Sequence, residues 1–192
     1  MASLLQDFCI DICNLAVRAI LWHNIHAKET IVINNLRLYI ETTVFNYYFD
    51  EDRDGHADTV QLFEAIGAGE FEAYTSRYAT DELMEAPEPK RSNMLALVDK
   101  YGLTSLETND ESNRMADLYI QKGIIPLKYR RDAAHIAIAS IHGLDCVVSY
   151  NFQHINRSRT KLLTGRVNYE EGYKGIFIFT AKEVLEDEYA PE

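Results

Sequence analysis

Short apolar segments alternate with amphipathic ones along most of this 192-residue chain. The clearest is "GLDCVVSYN", residues 143–151, where a short apolar run begins after a glycine that ends a helical pattern. Strands are predicted at 36–41, 70–75, 103–107, 145–150 and 175–180, with helices at 57–67, 77–86, 89–101, 109–122 and 130–142. This alternation is typical of right-handed βαβ units, so we expect an α/β fold with a parallel sheet of about five strands and helices on both faces.

The first 35 residues stand apart from this pattern. Residues 3–26 place apolar side chains at helical spacing and predict an amphipathic helix, which divides the chain into a helical extension, 1–35, and a domain, 36–192. The extension either docks on the domain, pairs between protomers, or is a partly disordered tail. A membrane span and a signal peptide are not expected, because charges interrupt the apolar run at Asp7, Asp11 and Arg18.

Composition limits the partners and the compartment. The net charge of −11 argues against a broad basic surface for duplex binding. The segment from Lys122 to Lys174 nevertheless has nine Lys and Arg residues against four Asp and Glu residues, so a local polyanion contact is compatible with it. Three cysteines without a repeated CxxC spacing favour a reducing compartment, and we expect a cytoplasmic protein.

A carboxylate ends the first predicted strand. In "RLYIETTVFNYYF", residues 37–49, an apolar run leads into Glu41 and then continues. Buried charge is costly unless it is paired or bound to metal, whereas the carboxyl ends of parallel strands border the crevice in which ligands of open α/β sheets bind. Asn151 stands at the corresponding end of the 145–150 strand, so we expect both side chains to border that crevice.

Two further acids are predicted on helices. Glu82 lies on the helix after the second strand, and Asp132 opens the helix "RRDAAHIAIASIHG". Taken singly, Glu41 and Glu82 are explained by solvation and Asp132 by the helix dipole. Together with Asn151, three carboxylates in one crevice would repel one another without a cation, and oxygen ligands favour Mg²⁺ or Mn²⁺ over zinc. Such a site can activate water and neutralise phosphate charge during attack on a phosphodiester.

Three segments that hold these residues carry a family resemblance: "LYIETTVFNYYF", "YTSRYATDELMEAPEPKR" and "KGIIPLKYRRDAAHIAIASIHGLDCVVSYNFQHI". They resemble successive blocks of the PIN domain family, in its VapC-like branch, over about residues 36–180. The resemblance implies a ribonuclease dependent on Mg²⁺ or Mn²⁺, with the family's four site positions at Glu41, Glu82, Asp132 and Asn151. Some members of the branch are toxins of type II toxin–antitoxin pairs, so it also implies RNA as substrate and a cognate antitoxin as a partner.

Two positions depart from the commonest family pattern, which has Asp at the first and fourth sites. Glu41 keeps the charge but is one methylene longer, and Asn151 keeps an oxygen ligand but loses a charge. We therefore expect weaker metal affinity than in a site with four acids. A module that binds RNA or a protein partner without cutting remains the alternative, and a phosphatase is disfavoured because its nucleophile would be Asp where this chain has Glu41.

Substrate contacts are predicted around the acids, at Ser149, His154, Arg131, Arg157 and Arg159. For the arginines, a solvated cationic face is the open alternative. Thr42 and Thr43 either brace the turn after the first strand or reflect β propensity.

Two other metal motifs are weaker. Residues 50–61, "DEDRDGHADTVQ", match a calcium loop in part but end in Gln61 where a bidentate glutamate is needed, so a solvated acidic loop is the preferred interpretation. His135 and His142 with Asp132 could suggest zinc, but no nearby Cys or His pair completes the set, and His135 is interpreted as a core histidine.

Proteins that resemble VapC are commonly dimers. We therefore predict a two-fold homodimer that buries either aromatic residues from positions 45–49 or the helix of residues 3–26. The alternative is a monomer in which these side chains complete the core.

Overall fold

The structure, a computed structural model, describes residues 36–186. Its strands are β1 (Arg37–Ile40), β2 (Glu72–Ser76), β3 (Thr104–Leu106), β4 (Cys146–Val148) and β5 (Phe177–Phe179). They form one sheet in the order β3-β2-β1-β4-β5, and every neighbouring pair is parallel. The predicted five-stranded parallel sheet is confirmed, although each strand is shorter than the segment predicted for it.

Eight α-helices connect or follow the strands within residues 36–186. They are α1 (Thr42–Tyr48), α2 (His56–Gly67), α3 (Arg77–Met84), α4 (Lys90–Lys100), α5 (Asp110–Gln121), α6 (Arg130–Ile141), α7 (Ser158–Glu170) and α8 (Ala181–Leu185). The five predicted helices correspond to α2 to α6. The apolar run that continues after Glu41 forms α1, which was not predicted as a helix, and α7 and α8 were not predicted either.

The sheet has a hydrophobic core on each face. Leu38 and Ile40 of β1 pack with α1, α2, α3 and α4 on one side, whereas Tyr39 points to the other side, where it packs with α5 and α6. This alternation follows from the two-residue period of a strand, and burial on both faces is usual for parallel sheets. Helices therefore cover both faces, as predicted.

Local signals fix the helices that carry the candidate site. Ser76 caps α3, with its Oγ accepting the backbone N–H of Ala79 at 3.1 Å. Gly143 lies at φ 65° just after α6, a left-handed conformation that glycine adopts without steric cost, and it ends that helix as predicted.

Some predictions fall on residues that the structure does not describe. The helical extension, 1–35, and the end of the predicted domain, 187–192, lie outside the described residues. Between residues 36 and 186, no helix is long and apolar enough to cross a membrane.

Candidate active site

The candidate site lies at the carboxyl ends of the two central strands. Glu41 directly follows β1, and its backbone N–H donates to the carbonyl of Val148, the last residue of the neighbouring β4 (3.2 Å). Asn151 lies just beyond β4. Glu82 and Asp132 are supplied by α3 and by the first turn of α6.

Glu41 is a buried carboxylate with two hydroxyl donors. Its side chain is buried, with 3% of the residue exposed, and Oε2 accepts hydrogen bonds from Thr43 Oγ1 (2.5 Å) and Ser149 Oγ (2.9 Å). Burial raises the pKa of Glu41, although the charge of His135 and the two hydroxyls act against that rise. The two hydroxyls thus fix the orientation of this carboxylate.

Glu82 is held by a hydroxyl and an imidazole. Its Oε2 accepts from Thr42 Oγ1 (2.6 Å) and lies 2.9 Å from His135 Nε2. Burial by itself raises the pKa of Glu82, but the His135 hydrogen bond and charge, with Thr42 and Arg131, lower it overall. Its other oxygen, Oε1, is 3.6 Å from an Arg131 nitrogen.

Asp132 is less well satisfied than the two glutamates. Its Oδ2 is buried and has no hydrogen-bond partner, a state that is costly for a carboxylate oxygen. Burial raises the pKa of Asp132, while the charge of His135, a hydrogen bond with Asn151 and the charge of His154 oppose the rise. An unpartnered buried oxygen within an acidic site is a favourable position for a cation ligand.

Asn151 organises the loop after β4. Its Oδ1 accepts the backbone N–H of His154 (3.1 Å), and its own backbone N–H donates to Ser149 Oγ (3.0 Å). The side-chain oxygen is therefore used inside the loop, and the Asn151 side chain also acts to lower the pKa of Asp132.

His135 lies among all three carboxylates. It is 1% exposed, and its Nδ1 lies 2.8 Å from the Tyr39 hydroxyl. Burial alone would lower the pKa of His135, but the Glu82 hydrogen bond and the charges of Glu41, Glu82 and Asp132 raise it overall. The sequence interpretation of His135 as a hydrogen-bonded core histidine is confirmed, but its link to the acids was missed. The available signal was its spacing of three residues from Asp132, which places both on one face of α6.

The predicted substrate contacts differ in their surroundings. Ser149 is fully buried and supports Glu41 and Asn151. His154 stacks on Tyr129 with ring centroids 3.6 Å apart, and its Nε2 is buried without a partner. Arg131 makes two hydrogen bonds to Glu85, at 3.0 and 2.8 Å.

The other two arginines bond to backbone carbonyls. Arg157 donates to the carbonyl of Gln153 (3.3 Å) and Arg159 to that of Gly123 (2.8 Å). Both are exposed, and their contact with RNA stays a prediction.

The weaker metal motifs are occupied by internal contacts. In the acidic loop, Asp50 pairs with Arg53 at 2.5 Å, and α2 begins at His56, before a twelve-residue calcium loop would end. His142 Nε2 is 3.3 Å from the Glu107 carbonyl, away from the partners of His135.

The donor atoms fit a hard cation with few protein ligands. Among the described residues, no three His, Cys, Asp or Glu side chains are already arranged to hold an ion. Mg²⁺, however, is usually held by one or two carboxylates together with waters and substrate phosphate. Asp132 Oδ2 lacks a partner and Glu82 Oε1 has only a long ion pair, so these two oxygens can serve such an ion.

The fold and site define a parallel α/β protein with a cluster of acidic side chains at the carboxyl ends of its central strands. No protein-family model matches the chain, and no curated protein sequence matches it either. Among solved structures, it is similar to VapBC2 from Rickettsia felis, determined bound to a DNA fragment from the promoter. That match has 10% sequence identity and a TM-score of 0.46, and it covers 74% of this chain and 96% of the other.

Proposed function

We propose that this protein is an endoribonuclease that depends on Mg²⁺ or Mn²⁺ and hydrolyses RNA phosphodiesters. The observation that carries the proposal is that Glu82 is hydrogen-bonded to His135 near the carboxyl edge of the sheet, where the charges of Glu41 and Asp132 also act on that imidazole. The three acids come from distant parts of the sequence, and their mutual repulsion opposes such a cluster unless it has a function. The sequence resemblance supplies the substrate class.

Each acid has a different part in the proposed mechanism. Asp132 and Glu82 would hold the ion through Oδ2 and Oε1, and Glu41 would add negative charge to the site. When bound, the ion would activate water and offset phosphate charge. Thr43 and Ser149 keep Glu41 oriented. Because water would be the attacking group, no covalent nucleophile from the protein is required.

The basic residues nearest the acids would orient the phosphate backbone. Arg131 is the best placed of them, because the Glu85 pair keeps its guanidinium beside Glu82. Arg157 and Arg159 are exposed and could contact phosphates farther along the strand.

The test is cleavage of a structured RNA with Mn²⁺, with EDTA, and by the Asp132→Asn variant. Cleavage should require the metal and should fall by at least about 100-fold in the variant, the scale of loss on removing a group that stabilises transition-state charge. Asp117→Asn is the matched control, since Asp117 pairs with Arg130 at the surface. Cleavage that resists EDTA, or an unchanged Asp132 variant, would refute the mechanism.

A second candidate is a module that binds RNA or a protein partner without cutting. The engagement of Asn151 Oδ1 by the His154 backbone favours it, since that oxygen is then less available to a metal. Equilibrium binding separates the two: RNA binding without Mn²⁺ binding at millimolar concentration would support the module.

Partners also belong to this proposal. A cognate antitoxin would be indicated by a small reading frame next to the gene and by a stable complex on co-expression. For the homodimer, the aromatic run is largely used internally, because Phe45 is fully buried and Tyr47 stacks on Tyr150 at 3.8 Å. The helix predicted at residues 3–26 is therefore the preferred candidate interface, and light scattering of the full chain against one starting at Asn34 tests it.

A further inference from the structure

A buried hydrogen-bonded chain leads from the sheet to Glu82. The Tyr39 hydroxyl lies 2.7 Å from Ser76 Oγ and 2.8 Å from His135 Nδ1, and His135 Nε2 lies 2.9 Å from Glu82 Oε2. Tyr39, Ser76 and His135 are buried, with exposures of 0%, 0% and 1%. Polar groups at this depth require partners, and here each partner belongs to a different structural element.

The directions of these hydrogen bonds can be worked out. An ionised carboxylate only accepts hydrogen bonds, as Glu82 Oε2 does from Thr42 Oγ1, so Nε2 of His135 carries the proton between the imidazole and Glu82. If the imidazole is neutral, Tyr39 donates to Nδ1 and Ser76 donates to Tyr39. If it is charged, Nδ1 donates to Tyr39 and Tyr39 donates to Ser76. The bond from His135 to Glu82 is therefore present in both protonation states.

These hydrogen bonds constrain both the side chain of Glu82 and the helix that carries it. His135 and Thr42 occupy Oε2, which leaves Oε1 turned away from the chain. Ser76, at the other end, also caps α3 by accepting the Ala79 N–H, and α3 is the helix that carries Glu82. One set of hydrogen bonds thus ties β1, α3 and α6 together around this carboxylate.

We propose that Tyr39 and His135 are positioning residues that hold Glu82 Oε1 ready for a divalent cation. The inference rests on the proposed function, because it concerns the metal of the same site. It assigns no chemical step to either residue: both act through Glu82, by limiting the rotation of its carboxylate. Hydrogen-bond partners of metal ligands commonly contribute about 10–100-fold to metal affinity.

A second buried tyrosine provides a matched control. Tyr119 is also 0% exposed and hydrogen-bonds to Asn168 and lies near Ser140, but none of these partners is a carboxylate. Tyr39→Phe and Tyr119→Phe each remove one buried hydroxyl, so a difference between them reports the connection to Glu82.

The first measurement is Mn²⁺ affinity by electron paramagnetic resonance. Tyr39→Phe should weaken binding by about 10-fold, and Tyr119→Phe by less than about 2-fold. His135→Gln, whose amide can still donate to Glu82, should keep most of the affinity that His135→Leu loses. With wild-type binding established, equal affinities for wild type and Tyr39→Phe, or equal losses in both tyrosine variants, would overturn the positioning role alone.

The second measurement needs no metal. In protein labelled with ¹⁵N-histidine, the His135 Nε2–H should exchange slowly and should shift in Tyr39→Phe and Glu82→Gln but not in Tyr119→Phe. Absence of that pattern would overturn the inference even where the nuclease is active. A wild-type protein that shows these Nε2–H shifts but binds no Mn²⁺ would overturn the proposed function and, with it, the metal-positioning role of Tyr39 and His135.

Discussion

The Asp132→Asn variant should be more stable than the wild type in the absence of metal while losing activity. Asp132 Oδ2 is buried without a partner, and burial raises the pKa of this carboxyl, so the folded protein favours its neutral form. Asn has nearly the same shape without the charge. It also retains an oxygen that can accept from Asn151.

The size of the effect follows from removing a buried charge: an unsatisfied buried polar group costs about 1–3 kcal/mol and a charged one more, and Asn keeps a polar group at this position but not the charge. Because the Asp132 carboxyl is only partly buried, solvent screens part of that cost, and we expect a gain of about 1–2 kcal/mol in the free energy of unfolding. For a chain of this length, that corresponds to a rise of roughly 2–8 °C in melting temperature.

Urea and thermal unfolding in EDTA at pH 7.5 provide the assay, with RNA cleavage in Mn²⁺ measured on the same preparations. Asp117→Asn is again the control and should stay within about 0.5 kcal/mol of the wild type, as surface substitutions usually do. A less stable Asp132 variant would refute the claim that this oxygen is held at the expense of stability. A stabilised variant with full cleavage would show that the unpartnered Asp132 oxygen is not required for catalysis.

Four further predictions concern the same acidic cluster. In EDTA, the unfolding midpoint should be higher at pH 5.5 than at pH 8, because the raised pKa of His135 stabilises the fold below its ordinary value of 6.5 and that contribution is lost as pH rises through the folded value. The raised pKa values of Glu41 and Asp132 also make the folded state less stable as pH rises. The lowered pKa of Glu82 has the opposite effect, but only as pH falls below the ordinary Glu value of 4.5, outside this range. An unfolding midpoint that is higher at pH 8 than at pH 5.5 would contradict the prediction. Mn²⁺ at 100 times its Kd should stabilise the protein by about 2.7 kcal/mol, measured by thermal shift, with no shift expected in Asp132→Asn. Ser149→Ala should lower the free energy of unfolding by about 1–3 kcal/mol, since it leaves Glu41 and the Asn151 N–H short of a partner; a change under 0.5 kcal/mol in urea would count against that. Asn151→Asp keeps the acceptor for His154 but sets a second carboxylate against Asp132, so calorimetry should show tighter Mn²⁺ binding and urea unfolding a less stable metal-free protein.

The strands and the helices from α2 to α6 could be predicted because their apolar periodicity agrees with their tertiary burial. Helix α7 could not, since its inward face includes Thr160, Thr164 and Asn168. Thr164 bonds to the carbonyl of Thr160 (2.7 Å), and Asn168 bonds to Ser140 on α6 (2.9 Å). A helix that buries polar residues gives no hydrophobic stripe, so its contacts become visible only with the partner elements in place.

Helix α1 was missed for a different reason. Its sequence, "TTVFNYY", is rich in β-branched and aromatic residues that favour strands. Tertiary packing overrides that preference, because the helix turns Val44 and Phe45 into the core and leaves Thr42 and Thr43 beside the acids. Glu41 could be placed at the carboxyl edge of the sheet from its strand-end position. The hydrogen bonds that its carboxylate accepts from Thr43 and Ser149 depend on the turn into α1 and on the neighbouring β4, so the sequence alone did not predict them.

The distribution of partners among the three acids shows how the fold tolerates them. Glu41 has two hydroxyl donors, and Glu82 has a hydroxyl and an imidazole, so both are stabilised from within the protein. Asp132 has an oxygen that is buried and unpartnered. Since a ligand stabilises most where the protein alone leaves a group unsatisfied, a cation should gain more at Asp132 than at either glutamate. The acidic cluster is therefore stabilised by the protein's own hydrogen bonds at the two glutamates, and its uncompensated cost is concentrated at one carboxylate on the first turn of α6.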